Sequence, residues 1–292
     1  MKKLHSIMVV TACFAATTLF QSCGKWKDGS ADASKDPSPT VHYSLLDTVD
    51  LSADADSRMF IALDIEVPAD ETQPSAAMVQ IQDALKSLLF ADRFNQLPFD
   101  SAMAAYADYV GKNYKSEFVE QAQRLVSDIR QTDDSLLYVA EPNEFENELY
   151  VSAGVQYDSA GVMSYSIERI INFGQATGMS RCTYVNFDKT DGSIIDEERL
   201  FIDGYEADLT HRLLSAIVDQ TDEVELIKDL VDNDYEVQSI RPNNNFYFSQ
   251  EGIVYMFNLT DLGPYIPEGT QVVISWQNVK PLLKDEWKHL AD

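Results

Sequence analysis

Met59, Ile61, Leu63, Ile65 and Val67 alternate with Phe60, Ala62, Asp64 and Glu66. A period of two puts the first set on one face of an extended chain, so 59–67 is predicted to be a strand with one buried face, closed by Pro68. Val41 to Leu51 reads as a preceding strand and Ser52 to Ser57 as the turn between them. The period then changes. Met78, Ile81, Leu85, Leu88 and Leu89 share one face of a helix predicted over 75–93. Met103, Tyr106, Val110, Tyr114, Phe118, Ala122, Leu125 and Ile129 mark a longer helix over 100–129. Its aromatic stripe has the spacing of a sugar-binding strip, but core packing is the simpler reading.

From Asn147 the period returns to two. Glu148 to Tyr157 and Val162 to Phe173 form a predicted hairpin joined by Asp158-Ser159-Ala160-Gly161, and Ser180 to Asp188 supplies another strand. Thr190-Asp191-Gly192 is a tight turn of the Asp-Gly type. Ile194 to Phe201 ends in a short acidic helical turn. Tyr205, Leu209, Leu213 and Ile217 then mark an amphipathic helix with Asp203 as its expected N-cap, and Glu223 to Val231 is read as a second short helix. In Asn243 to Leu283, Phe246 and Phe248 share a face, and Ser249 to Gly252 turns the chain. Ile253 to Asn258 is apolar on both faces, and Val272, Ile274 and Trp276 make the last strand. Leu283, Trp287 and Leu290 suggest a closing helix.

These elements predict an α+β protein in which an antiparallel sheet packs against several helices. The expected parts are a signal peptide at 1–22, a flexible tether at 23–41, a strand and two-helix part at 42–145, and a hairpin-rich part at 146–292. With 292 residues, 45% hydrophobic and 24% charged, the composition is that of an ordinary globular chain.

Lys2 and Lys3 precede an apolar run from Ile7 to Phe20 that stops at Gln21-Ser22-Cys23-Gly24, the layout of a secretory signal too short to span a bilayer. Cysteine at the cut point resembles a bacterial lipobox, with Leu19 four residues before it. The expectation is acylation of Cys23 and attachment to a membrane through that lipid, in a bacterial cell envelope, at the outer membrane, with no signal for which face. Gly24 to Thr40, small, polar and Pro-containing, is the tether. Once Cys13 is removed and Cys23 acylated, Cys182 is the remaining cysteine, so no internal disulfide is expected, and its alternating context suggests a half-buried strand position.

The formal net charge is −26, and removing residues 1–22, which hold two lysines and no acid, takes it to −28. Such a surface repels nucleic acid and attracts cationic partners. No G-x-S-x-G, H-E-x-x-H, C-x-x-C or Gly-rich phosphate loop is present, and His42, His211 and His289 are far apart in sequence. Asp196-Glu197-Glu198 and Asp232 with Asp234 could serve as paired acids, but a chain with 48 acids supplies such neighbours by chance, and a solvated surface is expected. Asp54, Asp56, Asp188 and Asp191 lack the glycine and terminal glutamate of a calcium loop. No cofactor and no specific metal are expected.

Asn245-Phe246-Tyr247-Phe248, Gly252 to Asn258, Leu262-Gly263-Pro264-Tyr265, Gly269 and Val279 to Leu283 together resemble the extracellular domain of RsiV-type anti-sigma factors, a module also attached to some peptidoglycan deacetylases. Tyr184 to Asp188 with Thr190 to Gly192 and Leu200-Phe201, and more loosely Ile61 to Pro68, extend the likeness over most of 58–283. Members of that family carry a Gly-Gly-Ala-His-Gly-like loop where this chain has Gly174-Gln175-Ala176-Thr177-Gly178. That altered loop is the candidate ligand contact, without the imidazole. The resemblance implies a non-catalytic envelope domain that binds a lysozyme-like protein or cell-wall material. The competing class is an enzyme, or an enzyme accessory, acting on envelope polysaccharide.

Overall fold

The computed structural model describes residues 38–51, 58–70, 73–131, 147–173, 179–221, 224–263 and 269–292, with the backbone alone for 118–131 and 173. The signal peptide, Cys23, Ser52 to Ser57, Gly174 to Gly178, Glu223 and Tyr265 lie outside the described residues.

Five strands form the larger sheet: β1 (Thr40–Asp50), β2 (Arg58–Pro68), β3 (Asn147–Ser159), β4 (Val162–Phe173) and β5 (Met179–Asp188), in spatial order β1-β2-β3-β4-β5. All neighbours are antiparallel except β2 and β3, which run parallel with Ile61 opposite Leu149. A parallel pair cannot be closed by a tight turn and needs a crossover. Here the crossover holds α1 (Ala76–Phe90) and α2 (Phe99–Gln131). The sheet thus spans the sequence boundary at 145.

One face of this sheet carries Met59, Ile61, Leu63, Ile65 and Val67, joined by Leu149, Val151, Met163, Tyr165, Ile167 and Phe187, under the two helices. Each buried side chain of this size contributes about 1.5–3 kcal/mol relative to exposure. Helix α1 starts where expected, with the Met78 N–H donating to Ser75 Oγ at 3.1 Å. It buries Met78, Ile81, Leu85 and Leu89, but Leu88 points to solvent, because a face wide enough for Leu85 and Leu89 leaves 88 turned away. In α2, Met103 and Tyr114 are buried. The side chains of Phe118, Ala122, Leu125 and Ile129 lie outside the described residues.

The hairpin turn is tighter than the sequence suggested. Strands β3 and β4 continue to Ser159 and from Val162, leaving Ala160 (φ 52°) and Gly161 (φ 81°) as a two-residue turn with both residues left-handed, which matches the twist of the strands it joins. Around this turn the two ends of the folded chain meet: the Ser38 N–H donates to Asp158 Oδ2 at 2.7 Å, and His289 Nε2 lies 3.3 Å from Ala160 O.

The C-terminal elements are α3 (Glu197–Leu200), α4 (Glu206–Gln220), β6 (Phe246–Phe248), β7 (Gly252–Phe257), β8 (Thr270–Ser275) and α5 (Trp276–Val279). The second sheet, β6-β7-β8, is antiparallel. Strand β7 is buried throughout, as its two apolar faces require. Ile253, Tyr255 and Phe257 face a core with Leu209, Leu213 and Ile217 of α4, while Val254 and Met256 pack with Tyr247, Cys182 and Tyr184 against β5. Three local expectations are corrected. Tyr205 rather than Asp203 occupies the N-cap of α4, in helical conformation and with no side-chain cap. Residues Ile227–Asn233 form a 3-10 helix shifted from the predicted 223–231. Trp276 begins α5 instead of ending β8, its indole N–H donating to Ser249 O at 3.1 Å. Among the described residues no helix is long and apolar enough to cross a membrane.

Candidate functional site

The helices cover one face of the five-stranded sheet, and the second sheet covers the β5 end of the other. What remains is an open face on β1 to β4. Strand alternation places His42, Ser44 and Leu46 of β1 there, with Phe60, Asp64 and Glu66 of β2, Tyr150 and Ser152 of β3, and Glu168 of β4. Leu46 is 83% exposed and Phe60 51%, unusual for large apolar side chains on a sheet. His42 Nε2 pairs with Asp64 across β1 and β2. Burial raises the pKa of the Tyr150 hydroxyl, a hydrogen bond with Ser152 opposes the rise, and the charges of Asp64 and Glu168 add to it. The face therefore offers acids, a phenol and exposed apolar groups, with His42 against Asp64 and, at its far end, Arg58 against Asp50 at 3.5 Å.

The asparagines of the aromatic strands have a different task. Strand β5 ends the sheet, and its outer edge would leave buried peptide groups unpaired. Asn258 Oδ1 accepts from the Cys182 N–H at 2.7 Å while its Nδ2 donates to Cys182 O at 3.1 Å. Asn245 Oδ1 accepts from the Tyr184 N–H at 2.8 Å, and its Nδ2 also donates to Cys182 O at 3.0 Å. Further along, the Ile195 N–H donates to Asn186 O at 2.8 Å. The two amides thus clip the second sheet to the first. Cys182 itself is buried, and burial pushes its thiol up to about 11, so it is no thiolate nucleophile.

Glu197, expected at the surface, is 3% exposed. Its Oε1 accepts from the Asn244 N–H at 2.8 Å and its Oε2 from the Tyr205 hydroxyl at 3.1 Å, while its own N–H donates to Asn244 Oδ1 at 2.9 Å. The Tyr255 hydroxyl, fully buried and within electrostatic reach of the same carboxyl, makes no hydrogen bond of good geometry. Burial raises the Glu197 pKa above 4.5 despite the donors. A carboxyl raised in the folded state binds more protons folded than unfolded, so its contribution is full below pH 4.5 and is lost as pH rises through the folded pKa. Glu197→Gln is expected to remove that downward step, measured as the difference between wild-type and variant urea-unfolding free energies across the pH range. An unchanged difference would show that the carboxyl titrates normally. Asp196, next to it, caps α3 by accepting from the Arg199 N–H at 2.8 Å.

A shallow cleft of about 270 Å³ lies between the β3–β4 turn and the C-terminal 3-10 helix, lined by Asp188, Arg199, Glu286, Trp287 and His289 among others. Arg199 is already engaged: Nη2 donates to Asp188 Oδ2 at 2.7 Å, Nη1 to Ser193 Oγ and Ile194 O, and the guanidinium lies 5.4 Å from the Trp287 ring centre. This cluster ties the acidic turn 188–193 to the C-terminus. Asp188 and Asp191, read as fragments of an acidic loop, serve that purpose, and among the described residues no three His, Cys, Asp or Glu side chains are grouped to hold a metal.

Residues 198–277 match the family model DUF3298, described as a protein of unknown function. The DUF3298 segment runs from α3 to the start of α5 and so contains α4 and the whole second sheet. Two solved structures share the fold. A DUF3298 family member from Bacteroides fragilis aligns with a TM-score of 0.72 at 17% identity, covering 85% of this chain and 94% of its own. A DUF3298 family protein from Pseudomonas aeruginosa aligns with a TM-score of 0.57 at 14% identity, covering 86% and 97%. Curated protein sequences gave no match. The open face lies outside the DUF3298 segment, on strands whose even-numbered positions sequence analysis had read simply as the polar side. The signal that could have found it is the pair Leu46 and Phe60, apolar residues on that side. The candidate loop Gly174 to Gly178 links β4 to β5 beyond the described residues, next to the exposed Met179.

Proposed function

We propose that this protein is a non-catalytic, lipid-anchored binding protein of a bacterial cell envelope, held by acylated Cys23, whose partner is a cationic protein of the lysozyme type or cell-wall material. The observation that carries the reading is the open sheet face, where Asp64 and Glu168 act on Tyr150 and Glu66 continues the acidic row along β2, on a chain of net charge −26. Acids with adjacent apolar groups on a flat surface suit a basic protein, since complementary charge steers encounter and apolar contact holds the complex. The DUF3298 match and the RsiV-type resemblance support the same class by analogy.

Soluble residues 38–292 are expected to inhibit hen egg-white lysozyme stoichiometrically in a peptidoglycan turbidity assay. The effect should weaken as salt rises, because the Debye length falls to about 8 Å at 0.15 M. Absence of any inhibition at low salt would remove lysozyme as the partner. The alternative, an enzyme or enzyme accessory acting on envelope polysaccharide, has one point in its favour: Asp64 and Glu168 lie two strands apart, about 10 Å by strand spacing, near the separation of an acid and base pair. Turnover of peptidoglycan by the protein alone would establish it.

A further inference from the structure

Among the described residues the fold closes its sheet edges with side chains at β5, β6 and β8 but not along most of β1. Strand β5 is capped by Asn245 and Asn258. On β6, the Phe248 N–H donates to Ser164 Oγ at 2.9 Å and Phe246 O accepts from Asn186 Nδ2 at 2.8 Å. On β8, the Gln220 amide, turned so that its nitrogen faces Gln271 O and its oxygen the Val273 N–H, caps both at 3.2 Å. The outer edge of β1 has no such cover among the described residues. Its backbone meets Asp47 Oδ1 at the Thr48 N–H and Lys115 Nζ at Asp50 O, both toward its C-terminal end. The two residues before it turn the other way: Pro39 O accepts from the Ala69 N–H, and Ser38 reaches Asp158.

An edge left uncovered among the described residues from Thr40 to Asp47 is a template for another strand, and proteins usually block such edges with Lys, Pro or a bulge. Strand β1, TVHYSLLDTVD, contains no Lys, Arg, Pro or Gly, pairs with β2 without a bulge, and exposes Leu46. Acids outnumber bases around it, with Lys115 at Asp50 O, Arg58 beside Asp50 and His42 against Asp64. Asp47 and Asp50 lie on the strand, and Asp64 and Glu66 stand beside it on the open face. A second copy would set the same acids, and a net −26, against their equals. A basic segment has no such conflict.

We propose that β1 is a strand-addition site: an extended segment of a partner protein, alternating apolar and basic residues, pairs with its free edge and lengthens the sheet to six strands. The apolar residues continue the row of Tyr43 and Leu45, where Tyr43 already packs on Phe99 at a ring distance of 4.8 Å. The basic residues lie on the other face, about 10 Å from β2, a span that a Lys or Arg and a carboxylate bridge together to reach Asp64 and Glu66. The proposal specifies the partner surface for the binding reading above and rests on it.

The test uses the full-length protein with the peptide acetyl-(Val-Lys)5-amide as probe and its (Val-Glu)5 counterpart as control. Amide hydrogen exchange of residues 41–49 is expected to slow at alternate positions by at least about tenfold with the basic peptide and to stay unchanged with the acidic one. Leu46→Lys, at a solvent-facing position, should weaken peptide binding by about tenfold while leaving the melting temperature unchanged. Exchange along β1 that is unaffected by the basic peptide, or slowed without alternation, would overturn the proposal. So would sedimentation showing a dimer that protects the same amides without peptide, which would make a second copy the occupant. If lysozyme is inhibited while the peptide leaves β1 unchanged, strand addition falls and the binding reading stands. If the peptide protects β1 but lysozyme is untouched, lysozyme falls as the partner and the edge site stands.

Discussion

Gly192→Ala is expected to lower the unfolding free energy by about 3 kcal/mol, in a range of about 2–5, the sum of a left-handed backbone penalty and overpacking. Gly192 ends the acidic turn after β5 with φ at 80°, and a Cβ built there would stand 2.3 Å from Ala77 O and 2.9 Å from Gln80 Cβ in the first turn of α1. The obstacle at Ala77 is backbone, so it cannot be relieved by a rotamer change. Gly161→Ala supplies the control, since its φ of 81° is nearly the same but nothing lies within 4 Å. That variant should lose about 1 kcal/mol, the conformational part alone. Urea unfolding followed by tryptophan fluorescence measures both, through Trp276 and Trp287. Equal losses would mean that the turn is not seated on α1 as described.

Asn258→Leu should cost about 2–3 kcal/mol by the same measurement, because the replacement leaves the Cys182 N–H buried without a partner. Leu keeps the branching and heavy-atom count of Asn and is somewhat larger, so no cavity opens and the loss reports the missing hydrogen bonds together with some overpacking. Asn245 shares the Cys182 carbonyl with Asn258, which predicts a non-additive double variant. A near-neutral Asn258→Leu would show that the two sheets are held by their apolar contact alone. This assignment also gives Asn258-Leu259-Thr260, which matches a glycosylation sequon in the sequence, a structural reason for its asparagine.

The elements whose signals are local were legible. Alternation from Met59 to Val67, the Met78-Ile81-Leu85-Leu89 face of a helix starting near Ser75 and the Leu209-Leu213-Ile217 stripe each depend on neighbours within a turn or two, and the α+β class follows from their sum. Pairing of β2 with β3 was not legible, since it joins residues such as Ile61 and Leu149 across two helices and no local pattern encodes the register. The burial of Glu197 was hidden for a similar reason. Its hydrogen-bond donors, Asn244 and Tyr205, and its neighbour Tyr255 come from three later segments, and among 48 acids it carries no local mark. For the candidate site, the sequence pointed to acidity and to the loop Gly174 to Gly178, which lies outside the described residues. The C-terminal aromatic strands serve as scaffold, and the acids Asp64, Glu66 and Glu168 stand on the uncovered face of β2 and β4. Which polar row stays uncovered depends on where the second sheet docks, and that is a tertiary fact.

The meeting of Ser38 and His289 at the β3–β4 turn gives the molecule a pole. There β1 and β4 start and β2, β3 and β5 end, while Asp50, Arg58, Asn147, Phe173 and Met179 mark the opposite ends of the same strands. An eleven-residue strand spans about 35 Å. Any attachment made through the residues before Ser38 therefore leaves from this pole, with the far strand ends about 35 Å away and the β1 edge running along the side between them.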